Sequence, residues 1–284
     1  MKDKAVLIVG GSGFLGKNIL SLNNIKGIKL YSADLLPTPG FEDSFIKMDI
    51  LDQDCLNNLK LHFDLIINLT GQVTNPSNLC FDLNSRGIKN IINYIRKNNS
   101  KLIQVSTLSV YGSSDSIINE ESQINPETTY GCCKAMSEFL IQTFLSFNQY
   151  NIIRLSNLYG DKQSKGMLAY LLESLNHNKQ VYFNNDGSLK RHLLNVKDAA
   201  NLILNIASNF KPGIFNCPGN DTYTIRELIL LFEEISERKL VVTYTDAKPW
   251  ENLEYIDSTK LHQNYGDFSK NSLKRWLTKQ IQNK

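Results

Sequence analysis

The chain has 284 residues, 42% hydrophobic and 21% charged, which suits one large globular domain or a main domain with a smaller companion. Its net charge of +3 is weak and dispersed, which argues against nucleic acid or an acidic membrane as partner and leaves small anionic ligands open. The apolar run in MKDKAVLIVGG is shorter than a signal-peptide core and no run approaches ~18 residues, so no membrane span is expected. Five cysteines without metal-type spacing, Cys132 and Cys133 adjacent, fit reduced thiols better than a disulfide framework or a metal site, and the expected location is the cytoplasm.

In chain order, AVLIV, GIKLYSA, SFIKM, DLIINL, KLIQVS and NIIRL are strand-like, and amphipathic helix-like stretches lie between most of them. That alternation implies a parallel sheet covered on both faces. After Gly160 the rhythm loosens: a helix over 167–177, a strand QVYF, the turn signal NNDGS, a helix VKDAANLILNIAS and a strand GIFNC that returns to the sheet. The tail from Asp221 carries a helix opened by Thr224, with Glu227 at the capping-box spacing, then KLVVTYT and a terminal helix. The expected fold is α/β, a doubly wound parallel sheet built from residues 1–160 and 192–217. Residues 161–191 and 218–284 form a smaller, discontinuous C-terminal lobe.

In AVLIVGGSGFLGKNIL, Gly10, Gly11, Gly13 and Gly16 fall between the first strand and a helix. Small residues there let the backbone approach a pyrophosphate, whose charge is favoured at the helix N-terminus. Asp34 closes the second strand, near the offset at which an acid binds an adenosine ribose. Leu35 and Leu36 follow, with no arginine close by, so a 2'-phosphate would meet a carboxylate. The reading is a Rossmann domain that prefers NAD to NADP.

Tyr130 and Lys134 in TYGCCK stand at i and i+4, a spacing that puts both on one helix face. An ammonium there lowers a phenol pKa from about 10 toward neutrality and favours a tyrosinate base. With 12 tyrosines and 31 Lys+Arg, roughly one such pair is expected by chance, and Tyr244 with Lys248 is a second. Context separates them: the first pair opens an amphipathic helix after the STLSVYG strand, whereas Tyr244 ends a strand and Pro249 follows Lys248.

From about Ala5 to Gly266 the chain resembles the extended short-chain dehydrogenase/reductase family, in its NAD-dependent nucleotide-sugar epimerase/dehydratase branch. The motifs are GGSGFLG, MDILD, NLTGQV, VSTLSVYG, TYGCCK, RLSNLYG, GSLKRHLLNVKDAA, GIFNCPGN and DSTKL, in the family's order. The resemblance implies a cofactor site of Gly10, Gly13, Phe14, Leu15, Gly16, Asp34, Asp49, Ile50, Leu69, Thr70, Gly71 and Lys134. It implies that Tyr130 exchanges the hydroxyl proton, that Lys134 holds the phenolate charge and touches the nicotinamide ribose, and that Thr107 hydrogen-bonds the same substrate oxygen. The hydride chemistry belongs to NAD. Asn157, Arg191 and Lys248 are nominated for the diphosphate of a nucleoside-diphosphate sugar, Lys248 standing where many relatives have arginine. Asn84 would tie backbone together beneath the cofactor, Gln72 and Val73 are candidates for the sugar pocket, and His177 and His192 read as ordinary lobe residues.

Relatives that eliminate water across carbons 5 and 6 follow the catalytic threonine with an Asp–Glu pair, where this chain has Leu108 and Ser109. That leaves 4-epimerisation, 4-keto reduction or net 4-oxidation, with the epimerase slightly favoured; a catalytically silent dinucleotide-binding regulator is the non-enzyme alternative. Met136, Phe139, Leu140, Ile141, Phe144 and Phe147 follow Tyr130, and Ile88, Ile91, Ile92 and Ile95 follow Asn84. These sets look too broad for one side of a sheet, so both helices are expected to pair with symmetry mates in a homodimer, as the resemblance also implies.

Overall fold

The structure, a computed structural model, describes residues 3–22, 25–71, 75–247 and 250–282. The first half runs β1 (Lys4–Val9), α1 (Phe14–Ser21), β2 (Ile28–Asp34), β3 (Phe45–Lys47), β4 (Leu65–Asn68), α2 (Ser77–Asp82), α3 (Ile88–Asn98), β5 (Lys101–Thr107), β6 (Ser114–Ile118) and α4 (Thr129–Phe144). Then come β7 (Tyr150–Leu155), β8 (Asn157–Tyr159), α5 (Met167–His177), β9 (Val181–Phe183), β10 (Lys190–Asn195), α6 (Val196–Ser208) and β11 (Gly213–Cys217). The chain finishes with β12 (Asp221–Thr224), α7 (Ile225–Ser236), β13 (Val242–Tyr244), β14 (Leu253–Ile256), α8 (Thr259–Tyr265) and α9 (Leu273–Gln282).

Seven strands form one parallel sheet in the order β11-β7-β5-β4-β1-β2-β3. Its strands read as unbroken apolar runs because both faces are covered. Along β1, Val6 and Ile8 enter one core cluster while Leu7 and Val9 enter the other. The first cluster is closed by α1, α6 and α8, the second by α3 and α4. From β1 the chain order steps to β2 on one side and to β4 on the other, so the crevice for a ligand opens beyond the carboxyl ends of β1 and β4.

Smaller sheets build the lobe: β12-β10-β8, with β10 antiparallel to β12 and parallel to β8, and the parallel pair β13-β9. Their apolar sides meet α5, α7 and α9 around Tyr159, Leu171, Phe232 and Trp276. Thr224 and Glu227 make the expected capping box at the start of α7. Because β8 and β10 pair with each other, the lobe sheet reaches across residues 160 and 192, while Leu261 and Tyr265 of α8 pack into the main core beside Phe215. The pair β14-β6 joins the C-terminal segment to the loop after β5.

The isoleucine face of α3, expected to pair with a symmetry mate, is covered within one chain. Ile88, Ile91, Ile92 and Ile95 are at most 3% exposed within a single chain, because α3 buries that face against the sheet and α4. On α4, Ile141 is also fully buried, whereas Phe139 and Phe144 stay 68% and 51% exposed. Phe147 is exposed too, its ring edge-on to Tyr150.

Candidate active site

Gly10, Gly13, Phe14, Leu15, Gly16 and Leu69 line a cleft of about 660 Å3 that also takes in Thr107, Tyr130, Asn157 and Arg191. At Gly16 a Cβ would sit 2.5 Å from the Gly11 carbonyl oxygen and 2.6 Å from that of Gly10, so any side chain there would push α1 off the loop. Asp34 turns back to this loop: its Oδ2 accepts from the Ser12 amide at 3.0 Å and its Oδ1 from the Leu35 amide at 2.7 Å. Asp49 is exposed and accepts from the Leu51 amide, while Ile50 gives its side chain to the core and its carbonyl to Asn90.

Across the crevice, Thr70 is fixed by Asn68, and Gly71 has φ +85°, with a hypothetical Cβ 2.6 Å from the Asn84 amide. Asn84 donates to the carbonyls of Gly71 and Cys80 at 3.2 and 2.9 Å, the backbone-tying role expected of it. Asp34, Asp49, Ile50, Thr70, Gly71 and Lys134 are outside the lining of the cleft itself. A glycine cradle that one Cβ would fill, a helix start with no acid in its first turn and a carboxylate at the end of β2 together fit a dinucleotide.

Thr107 ends β5 and Tyr130 sits in the first turn of α4, which Thr128 caps by accepting from the Gly131 amide. Thr107 Oγ1 accepts from the Ser109 amide at 3.2 Å, the ordinary role of a strand-end hydroxyl. That bond uses an oxygen lone pair, and among the described residues its O–H donates to nothing, so it is free for a ligand oxygen. Lys134, one turn after Tyr130, is fully buried, with Nζ donating to the carbonyls of Thr70 at 2.8 Å and Val105 at 3.1 Å. Burial pushes its ammonium down to about 8, against Cys80, Glu138 and Cys133, which favour the charged form. Leu108 is 4% exposed and packs with Val110, Tyr111, Ile118 and Leu253.

At the other end of the cleft, the Arg191 guanidinium has no hydrogen-bonding partner among the described residues; burial lowers its pKa and the facing Glu251 opposes that. Asn157 donates weakly to the His192 carbonyl at 3.4 Å. Lys248, Gln72 and Val73 lie outside the described residues. His192 Nε2 donates to the Leu253 carbonyl at 2.8 Å, which leaves Nδ1 to accept from Thr222 at 3.1 Å, so both ring nitrogens are occupied. Tyr244, of the second tyrosine–lysine pair, is stacked on Phe183 beneath Arg226. Sequence reasoning missed Glu251, Lys165 and Gln163, which also line the cleft. Glu251 holds φ +55°, a conformation that no glycine or asparagine at that position signals.

Residues 6–217 match the model of the NAD dependent epimerase/dehydratase family. The chain belongs to that family. It is therefore an NAD-dependent enzyme of the epimerase/dehydratase type, and the extended short-chain dehydrogenase/reductase resemblance of its motifs holds. It is 24% identical to CDP-paratose 2-epimerase of Salmonella typhi over 93% of this chain and 94% of that one. It is also 24% identical to dTDP-4-dehydro-6-deoxyglucose reductase of Escherichia coli, over 86% of each chain. The crystal structure of UDP-glucuronic acid 4-epimerase from Bacillus cereus in complex with UDP-glucuronic acid and NAD superposes with a TM-score of 0.85 at 20% identity, covering 98% of this chain and 99% of that one. The names of these proteins include a 2-epimerase, a reductase and a 4-epimerase.

Proposed function

We propose that the protein is an NAD-dependent oxidoreductase acting at carbon 4 of a nucleoside-diphosphate sugar, with 4-epimerisation as the favoured outcome. The observation that carries this is the convergence of Tyr130 and the Thr107 hydroxyl, which donates to none of the described residues, on a cleft that begins at the glycine cradle and ends at Arg191, whose guanidinium faces Glu251 and has no hydrogen-bonding partner among the described residues. Similarity to an epimerase acting on a UDP-sugar and to a dTDP-sugar reductase supports the substrate class.

In this reading the cradle of Gly10, Gly13, Phe14, Leu15 and Gly16 holds the dinucleotide phosphates, Asp34 takes the adenosine ribose, and Asp49, Ile50, Leu69, Thr70 and Gly71 border its path. NAD, when bound, supplies hydride acceptance and return. Tyr130 takes the sugar hydroxyl proton and gives it back, Thr107 donates to the same oxygen as charge builds on it, and the Lys134 ammonium favours the phenolate. Arg191, with Asn157 and Lys248, grips the diphosphate. The absence of an acid at 108 and 109 sets aside elimination of water, since a buried leucine and a serine cannot protonate a leaving hydroxyl. A one-way 4-dehydrogenase or 4-ketoreductase would use the same residues. Intact Thr107, Tyr130 and Lys134 argue against a silent dinucleotide-binding regulator. The cytoplasm, where nucleotide sugars and reduced thiols coexist, is the proposed location; all five cysteines are free and no described helix is long and apolar enough to cross a membrane. The assembly proposed is a homodimer.

The test mixes the protein with a panel of nucleotide hexoses and no added cofactor and follows carbon-4 stereochemistry by NMR, after the purified protein's bound nucleotides have been identified by mass. Interconversion of 4-epimers without added cofactor is the expected result. Turnover that needs a stoichiometric hydride donor or acceptor moves the assignment to the one-way reading.

A further inference from the structure

Behind the cleft a row of polar side chains crosses a core otherwise built from isoleucine, leucine and valine. Ser106, Arg154 and Asn216 are register partners on β5, β7 and β11, so they share one face of the sheet at adjacent positions. Arg154 and Glu138 of α4 form an ion pair whose side chains are each 3% exposed. The guanidinium grips both carboxylate oxygens, with Nε at 3.1 and 3.2 Å and Nη2 at 2.6 Å. Ser106 donates to Glu138 Oε1, Arg154 Nη1 donates to the Tyr111 hydroxyl, and that hydroxyl donates to Asn216 Oδ1 at 2.7 Å. The Arg154 guanidinium also stacks 4.8 Å from the Tyr111 ring centroid.

A buried ion pair is a weak source of stability, because desolvating both charges offsets most of their attraction and apolar replacements are often as stable. What a forked, bidentate pair supplies and an apolar contact does not is a fixed geometry. Here that geometry bears on the site. Tyr130, Lys134 and Glu138 stand at successive turns of α4, and two of them are tied to neighbouring residues of β5: Lys134 reaches the Val105 carbonyl and Glu138 the Ser106 hydroxyl, next to Thr107. A rotation or slide of α4 large enough to misplace Tyr130 would have to break the Glu138 fork.

We propose that Glu138 is a positioning residue for the reaction: held by Arg154 and Ser106, it fixes the rotation and register of α4 against the end of β5 so that Tyr130 and Thr107 meet in one cleft. Its carboxylate also stands one turn after Lys134 on the same face of α4, where it favours the lysine's charged form. Besides Tyr130, one turn earlier, the titratable groups among the described residues that bear on Lys134 are Cys80 from α2 and Cys133 and Glu138 from its own helix; β5 and the loop after β4 present carbonyl oxygens of Val105 and Thr70. Of the three, Glu138 is the carboxylate.

This inference rests on the proposed function for Tyr130 and Thr107, and two variants test it. Ser106→Ala removes the tether and leaves the ion pair; with a nucleotide sugar that the wild type turns over, kcat should fall about 10-fold while KM stays within about two-fold, because alignment is lost and binding is not. Glu138→Gln removes the charge, and the Lys134 Nζ titration should move down by about one pH unit relative to the wild type measured alongside it. That titration is read by NMR of the lysine side-chain carbons, with the signal assigned by its loss in Lys134→Met. An unchanged kcat in Ser106→Ala overturns the positioning role, even if its melting temperature drops. An unmoved Lys134 titration in Glu138→Gln overturns the electrostatic part, and if that variant does not fold, Ser106→Ala decides alone. A wild type that turns over no nucleotide sugar would refute the proposed function and with it the positioning role; the Lys134 titration, which needs no substrate, would still judge the electrostatic part.

Discussion

Thr128, which caps the helix carrying Tyr130, donates a 2.6 Å hydrogen bond to the Glu251 carboxylate, 123 residues further along the chain. The Glu251 amide in turn donates to Glu127 Oε2 at 2.6 Å, so the C-terminal segment is latched to the start of that helix at two points. Glu251 adopts φ +55°, a conformation that costs a non-glycine residue about 1 kcal/mol and persists only when its surroundings hold it. Glu251→Ala should therefore loosen the rim of the cleft opposite Arg191. The expected outcome is a several-fold rise in KM for the nucleotide sugar with NAD affinity unchanged, checked by steady-state kinetics and cofactor titration. Unchanged KM would show that the latch does not shape the substrate end.

Tyr130→Phe keeps the ring and removes the proton. It should lower turnover by at least ~100-fold, the usual floor for losing a positioned acid/base, while NAD binding survives. Near-normal turnover in that variant would sink the mechanism.

The pH dependence follows from Lys134. Burial lowers its pKa from the ordinary lysine value to about 8, so its ammonium is complete below that value and is lost as pH rises through it. If the ammonium supports the Tyr130 phenolate, kcat/KM, which reports the free enzyme, should fall on the alkaline side with a midpoint near 8. A profile still flat at pH 10 would mean that the reaction does not need the charge on Lys134.

Asp34 Oδ2 already accepts from the Ser12 amide of the glycine loop, which holds the carboxylate at the mouth of the cradle. Asp34→Ala should weaken NAD binding and narrow its advantage over NADP, because a ribose acceptor and a charge that repels a 2'-phosphate are lost together. Isothermal titration with both cofactors checks this. A wild type that prefers NADP would contradict the reading of Asp34.

Much of this was legible in the sequence because the signals are local. The apolar runs of β1, β4, β5 and β7 announce a sheet covered on both faces, and the glycines after β1 and Asp34 at the end of β2 mark the crevice before any contact is known. Residues whose importance depends on distant partners gave no such signal. Glu251 meets Thr128 only after the C-terminal segment has folded back onto the helix start, and Ser106, Arg154 and Asn216 form a row only once three strands are in register. Amphipathicity also misled: α3 carries enough isoleucine to suggest a partner, yet the sheet and α4 bury it all, since a helix lodged between a sheet and a neighbouring helix has a wide apolar arc to satisfy.

With α3 covered, the proposed homodimer would form through α4. Cys132, Met136 and Phe139 fall at i, i+4 and i+7 on one stripe of that helix, and Phe139 is 68% exposed. Burying one phenylalanine is worth about 1.5–3 kcal/mol, and a two-fold axis counts it twice, so on the order of 3–6 kcal/mol of association would hang on this side chain. That corresponds to a change in Kd on the order of 10²–10⁴-fold. Light scattering at micromolar concentration should show a dimer for the wild type and a monomer for Phe139→Lys, with the melting curve of the variant still cooperative because the side chain lies outside the core. A monomeric wild type would refute the assembly, and a dimer unaffected by Phe139→Lys would place the interface on another face. Since α4 also carries Tyr130 and Lys134, dimer formation through this stripe would stiffen the catalytic helix from the side opposite Glu138, and loss of the dimer should then lower kcat more than it raises KM.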